Sequence, residues 1–366
     1  MKKIAFVVNR LIKSGPVNVV YDIVNNIDRS MYIPEIVVLR DKTEFRSVVE
    51  DFKRLDIKIT FFNFSFLKME LHTLQCAKII DEYLVKEDIA TVHAHGYQAA
   101  VIINKCKTSA KKIVTFHNIC SEDFVRQKGF FLGTYMSKRY IQAIKRFDER
   151  IGITDVVSEF YKRKLNDENV KTIYNGIDCT KFIPITNEKR QACRSALGIT
   201  DETVYVIIGT ISKRKNVVHI VETAKRLHDK TKLFYFVGTG PLLNKCKKIA
   251  KGHNNIRFTG YQMDISQYLS IADYSIAAST SEGFGLAALE VVLSGIPLLY
   301  SNCQAFRELF YSCEYLKEFM FLLEDKNSLM EKISHPPIYT NNQLVAEYYK
   351  AKYDSSIMAR QYQELY

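Results

Sequence analysis

YSIAASTSEGFGLAALEVVLSGIPLLYS, residues 274–301, holds a short apolar run, a glycine-rich turn, a longer apolar run stopped by Gly295 and Pro297, and a second short apolar run. Periodicity and breakers predict strand, turn, helix over 286–294 and strand, which is one βαβ unit of a parallel sheet. Gly283 and Gly285 allow backbone to approach a ligand closely where that helix begins. The amides of Phe284, Leu286 and Ala287, with the positive end of the helix, then suit a phosphate or a sugar hydroxyl. Two carboxylates flank this arrangement, Glu282 before the helix and Glu290 inside its apolar run. An ionised carboxylate is strongly disfavoured in apolar surroundings, so each needs a partner. Eight residues of helical rise separate them by roughly 12 Å, the reach needed to hold opposite ends of one elongated ligand with an anionic centre. A capped helix with a surface Glu and a second Glu buried against a Lys or Arg fits the same letters.

The rhythm continues on both sides. Val/Ile/Phe-rich runs at 3–8, 35–40, 58–62, 91–95, 112–116, 149–153 and 170–174 alternate with helical patterns. From 179 to 200 the chain turns polar and irregular around Pro184, after which buried strands restart at 204–210, 232–238, 255–260, 274–279 and 296–301. The pattern predicts an α/β protein of two Rossmann-like, doubly wound domains, 1–178 and 179–345, with a terminal helix at 346–366 packing back on the first. Ligands in such sheets lie beyond the carboxyl ends of strands, and facing domains place the site in the cleft between them.

Composition sets the outer limits. With 366 residues, 47% hydrophobic and 25% charged, the chain has core material for two soluble domains and no signature of disorder. No run approaches the length of a transmembrane helix, and the apolar stretch at 4–8 is too short for a signal peptide. Eight scattered cysteines without a Cys-x-x-Cys pair read as free thiols of a cytoplasmic protein. The formal charge of +12 suits an anionic partner, or is simply a solvated surface. No nucleic-acid signature interleaves aromatics with the basic residues.

The segment 259–302, with its Glu282-Gly283-Phe284-Gly285 and Glu290, resembles the retaining glycosyltransferases of family 4, whose GT-B fold faces two Rossmann-like domains across a cleft and whose signature is E-x7-E. The resemblance is tight in the second domain and loose in the first. It implies that Glu282 holds the transferred sugar and Glu290 the nucleotide ribose, and that the loop Gly260-Tyr261-Gln262 lies against the base. The amides from Phe284 to Ala287 would take the sugar and distal phosphate. IGTISKRKNV, 208–217, is similar to the family's Gly-Arg…Lys clamp on the diphosphate: Lys215 matches the lysine, Thr210 stands where the arginine usually is, and Arg214 is a substitute cation. Such a cation stabilises the charge that builds on a departing nucleoside diphosphate. The absence of Asp-x-Asp agrees with the family's metal-independent habit, so no cofactor is expected beyond the nucleotide-sugar substrate.

In the first half, SGPVNVVYDIV places Gly15 at a helix start with Ser14 as cap and Pro16 in the first turn, resembling the family's loop that approaches donor phosphate and acceptor. His117 in TFHN and, with less support, His95 in VHAHG end strands, and the resemblance puts a histidine such as His117 near the transferred sugar. The Asn175-Gly176 turn at the domain junction reads as geometric. The stretch 126–147 carries six basic residues, no acidic one, and Tyr135, Met136, Tyr140, Ile141, Ile144 and Phe147 at helical spacing. This pattern serves either a helix lying on an anionic bilayer or ordinary core packing.

The resemblance, taken with these residues, implies a metal-independent, retaining transfer of a hexosyl or N-acetylhexosaminyl group. The donor is an NDP-sugar, with UDP-sugar expected, and the acceptor a hydroxyl of a cell-surface glycan or lipid-linked molecule. The reaction would run in the cytoplasm or peripherally on the inner face of the plasma membrane. The rival readings are a silent GT-B partner subunit and a GT-B epimerase or phosphorylase.

Overall fold

The computed structural model describes residues 1–40, 47–339 and 341–366, which form two compact units, Met1–Asp178 with Tyr353–Tyr366, and Cys179–Lys352. Residues 346–352, expected with the terminal helix on the first domain, cluster with the second unit instead.

The first unit is built on a parallel sheet of β1 (Lys2–Val8), β2 (Tyr32–Val38), β3 (Lys58–Phe61), β4 (Ile89–His95), β5 (Lys111–Phe116), β6 (Glu149–Gly152) and β7 (Val170–Thr172), ordered β3-β2-β1-β4-β5-β6-β7. Residues Ile4 to Val8 are buried throughout, as a parallel strand covered on both faces requires. β2 begins before its expected start because Pro34 pairs only with Ile4 of β1, while the ladder to β3 starts at Glu35. A residue without an N–H is tolerated where it faces a single neighbour.

The expected helix across 126–147 is broken at Gly129 (φ +81°) into Cys120–Lys128 and Phe130–Ile144. The two segments pack so closely that a methyl group on Gly133 would sit 2.4 Å from the Val125 backbone. Met136, Tyr140, Ile144 and Phe147 are buried, whereas Tyr135 is 57% exposed and Ile141 is half-buried, so four of the six residues of the stripe pack into the core.

Residues 353–366 complete this unit. The helix Ser355–Gln363, capped by Asp354, lies against Gly15–Asn26, and Met358, Tyr362, Leu365 and Tyr366 join the core of Ile4, Phe6, Ile23 and Ile113. The Asn175-Gly176 turn meets this helix, where a methyl on Gly176 would lie 2.6 Å from Ser355 Cα. Glycine is needed there for close approach.

The second unit carries β8 (Thr203–Ile208), β9 (Lys232–Val237), β10 (Ile256–Gly260), β11 (Tyr274–Ala277), β12 (Leu298–Ser301) and β13 (Met320–Phe321), all parallel and ordered β10-β9-β8-β11-β12-β13. The two-residue β13 has no sequence signature. The supposedly irregular stretch after Cys179 contains a helix, Asn187–Ala196, that buries no side chain and is tied down by Arg190 and Arg194 on Asp273. In each sheet the strand order reverses beside the first strand, between β1 and β4 and between β8 and β11. Doubly wound sheets open their ligand crevice at that switch point.

Candidate functional site

At the carboxyl ends of β8 and β11, two loops are pinned together. Thr280 donates its N–H (2.8 Å) and its hydroxyl (3.2 Å) to the Arg214 carbonyl. The β8 loop starts at Gly209 (φ +129°) and is held by two glycines after β9. A methyl on Gly238 would lie 2.0 Å from the Gly209 carbonyl oxygen, and one on Gly240 would lie 2.4 Å from that of Ile211. Side chains at either position would push the loop out of place.

The pinned loops bring Arg214, Lys215, Ser279 and Glu282 to one point. Lys215 Nζ is 2.7 Å from Glu282 Oε1, the Ser279 hydroxyl donates to the same oxygen over 2.8 Å, and Arg214 Nη1 donates to Glu282 Oε2 and to the Ser281 carbonyl. The Glu282 side chain is only 7% exposed. Burial alone would raise its pKa, but Lys215, Arg214 and their hydrogen bonds outweigh that cost and hold the carboxyl at about 2. Glu282 is therefore an anion clasped by two cations. Arg214 and Lys215 are sequence neighbours, yet both side chains reach the same carboxylate; Thr210 at the expected arginine position is exposed.

A cavity of about 20 Å³, room for a single water, lies beside Lys215 between Gly209, Thr210, Ser279 and Ala287. Gly283, Phe284 and Gly285 are buried, and the helix Leu286–Leu293 opens at Gly285 without any side-chain cap. Leu286 and Ala287 are partly exposed at its mouth. Because the helix covers only Leu286–Leu293, Glu282 lies outside it, and the spacing to Glu290 is not helical over its first half. Glu290 is partly buried on the helix. Tyr261 follows β10 on the same sheet edge and is 38% exposed. Sequence reading does not single out Ser279, Gly238 or Gly240; the only signal is small residues closing buried strands.

In the first unit, Gly15 follows β1, His95 is the last residue of β4 and His117 follows β5. Gly15 begins the helix Gly15–Asn26, and a methyl there would meet nothing within 4 Å among the described residues. Ser14 contributes its carbonyl, 2.9 Å from the Asn18 N–H, and not its hydroxyl. His95 Nδ1 and His117 Nε2 are 2.9 Å apart. Behind them a polar chain runs from the Tyr366 hydroxyl through His93 and Thr115 to the Tyr362 hydroxyl, each link 2.8–2.9 Å. Burial pushes His93 and His117 down to about 3 and His95 well below its ordinary value, so all three imidazoles are neutral at physiological pH.

Comparison with known proteins agrees with this geometry. The family profile described as Glycosyltransferase Family 4 matches residues 13–181, and that described as Glycosyl transferases group 1 matches residues 189–334. The chain is 24% identical over 377 aligned positions to the O-antigen biosynthesis glycosyltransferase WclY of Escherichia coli, covering 100% of this chain and 98% of that protein. It is 30% identical over 142 positions, 36% of each chain, to the UDP-Gal:alpha-D-GlcNAc-diphosphoundecaprenol alpha-1,3-galactosyltransferase of Escherichia coli. The crystal structure of Anabaena Alr3699/HepE in complex with UDP and glucose superposes with a TM-score of 0.79 at 16% identity, covering 100% of this chain and 99% of that one. With a doubly wound sheet in each unit and both profiles matched in chain order, the protein belongs to the group 1 glycosyltransferases of GT-B fold.

Proposed function

We propose that the protein transfers a hexosyl or N-acetylhexosaminyl group from a UDP-sugar to a hydroxyl of a cell-surface glycan or lipid-linked acceptor, with retention of configuration and without a metal. The observation that carries this reading is the convergence of Arg214 and Lys215 beside the uncapped helix Leu286–Leu293 at the β8/β11 switch point. Two cations and oriented backbone amides are what a departing nucleoside diphosphate needs as its charge builds. Lys215 and Arg214 would bind the diphosphate, Glu282 the sugar hydroxyls, Glu290 the ribose and Tyr261 the base. The acceptor attacks from the face that the diphosphate leaves, and a diphosphate oxygen takes its proton, so no enzymic nucleophile is called for. The donor class is supported by the UDP in the names of the galactosyltransferase and the Anabaena complex. The acceptor class is supported by the O-antigen and diphosphoundecaprenol of the relatives.

The test is transfer from a panel of UDP-sugars to a diphosphoprenyl-linked sugar after EDTA treatment, with the anomeric configuration of the product read by NMR. An inverted product or loss of turnover in EDTA would overturn the corresponding part of the reading. Donor incubated alone should not isomerise, which separates transfer from epimerase chemistry. The intact cation pair argues against a silent partner subunit.

No helix among the described residues is long and apolar enough to cross a membrane. Peripheral contact is favoured by the exposed start of the helix Phe130–Ile144, which shares Tyr135 with the stripe read in the sequence. Phe130, Phe131, Leu132 and Tyr135, at the start of the helix Phe130–Ile144, are 48–88% exposed next to Lys128 and Lys138. Exposed apolar side chains with lysines close by in the sequence suit an anionic bilayer. The triple variant Phe130→Ser, Phe131→Ser, Leu132→Ser should lose co-sedimentation with phosphatidylglycerol vesicles. Equal sedimentation of wild type with neutral vesicles would defeat the idea.

A further inference from the structure

Glu282 is asked to hold sugar hydroxyls, and its acceptor positions are already mostly taken. A carboxylate offers about four lone-pair directions. Lys215 and Ser279 use two on Oε1 and Arg214 uses one on Oε2. The two cations are likewise engaged, and with one carboxylate between them the cluster carries a formal charge of +1. A nucleotide sugar brings a diphosphate of about two negative charges to the same cations, while its sugar asks for the same carboxylate. Both demands are met together only if partners are exchanged.

Resting on the donor-site reading above, we propose that Glu282 is the internal counter-ion of an Arg214–Lys215 clamp. The incoming diphosphate takes over the two cations, and the lone pairs released on Glu282 become the acceptors for the sugar. No covalent bond changes in this exchange; only hydrogen-bonded and ionic partners do.

Two consequences bear on specificity. The sugar grip forms only when a diphosphate is present, so a free sugar, lacking an anion to draw off Arg214 and Lys215, meets an occupied carboxylate. UDP, conversely, must displace a pre-existing anion and binds more weakly than it would to an uncompensated pair of cations. Holding the pair ready around Glu282 also spares the empty site two partly buried cations without a counter-charge, which would be costly.

The experiment is UDP binding by isothermal titration at constant ionic strength, on wild type, Glu282→Gln and Lys215→Ala. Glutamine keeps the shape of the side chain and its bond to Ser279 but removes the competing charge. The exchange therefore expects UDP to bind Glu282→Gln about tenfold more tightly, a modest size for one unit charge a few ångströms away in a partly buried site. Glu282→Asp, too short to reach both cations, should shift in the same direction and serves if the glutamine variant does not fold by circular dichroism. UDP affinity unchanged or weaker in the folded variant overturns the exchange. Lys215→Ala should lose UDP affinity by at least about tenfold; if it binds as wild type does, the donor-site reading itself fails, whatever Glu282 does.

Discussion

His95 Nδ1 lies 2.9 Å from His117 Nε2, so one imidazole donates to the other and the pair fixes both tautomers. The other nitrogen of His95, Nε2, is buried without a hydrogen-bond partner among the described residues. An orphaned buried N–H is rarer than an orphaned acceptor, which assigns the His95 proton to Nδ1 and the donor role to His95. His117 then accepts at Nε2 and carries its own proton on Nδ1. It is thus a neutral hydrogen-bond donor, a group that can steady a sugar oxygen without transferring a proton at physiological pH. Imidazole ¹⁵N shifts should show His117 as the Nδ1–H tautomer. His95→Phe should abolish that preference and lower kcat/KM roughly fivefold, the worth of about one hydrogen bond.

Removing Lys215 should act on turnover. Lys215→Ala is expected to lower kcat by about 10²–10³, the usual loss for one charge-stabilising donor. Glu290→Ala should chiefly raise KM for the nucleotide sugar. Equal effects of the two variants on KM, with kcat untouched, would remove the separation of roles.

Acid should destabilise the first unit before it affects the donor site. His93, fully buried, titrates near 3 in the folded protein and near 6.5 when unfolded, so unfolding takes up a proton between these values. Its contribution to stability is full above pH 6.5 and falls by about 1.4 kcal/mol per pH unit as the pH drops towards 3. His95 adds to the same slope, since its pKa is lowered for the same reason. Glu282, held at about 2, loses its contribution only from its unfolded value near 4.5 downwards. Urea midpoints measured from pH 7 to 4.5 should decline accordingly, and His93→Gln should flatten the decline by one proton.

Gly285 tolerates no side chain. Its φ is +109° and a methyl group would stand 2.6 Å from Phe306 Cε1. Gly285→Ala should cost about 1–3 kcal/mol and weaken donor binding through the displaced helix start. Pairing it with Phe306→Leu should recover part of the thermal midpoint but not the backbone strain.

Legibility varied with the kind of force involved. Buried parallel strands such as Lys2–Val8 and Thr203–Ile208 announce themselves because both faces are apolar. The helix Asn187–Ala196 does not, since salt bridges to Asp273 hold it in place of an apolar stripe. Apolar spacing in 126–147 was readable, but the break at Gly129 was not, nor that Met136, Tyr140 and Ile144 are buried while Phe130 and Phe131 are exposed. At the candidate site, Glu282, Lys215 and the turn glycines were visible as letters. Their mutual ion pair was not, because side-chain direction at Arg214 follows from the loop that Thr280 pins.

Met358 and Tyr362 belong to the core of β1 and β5, yet the whole of Cys179–Lys352 is synthesised before them. At common translation speeds the earlier part of that core waits roughly ten to thirty seconds for its last side chains. The nascent amino-terminal half therefore leaves the ribosome with the surface that Met358, Tyr362, Leu365 and Tyr366 cover still open to water.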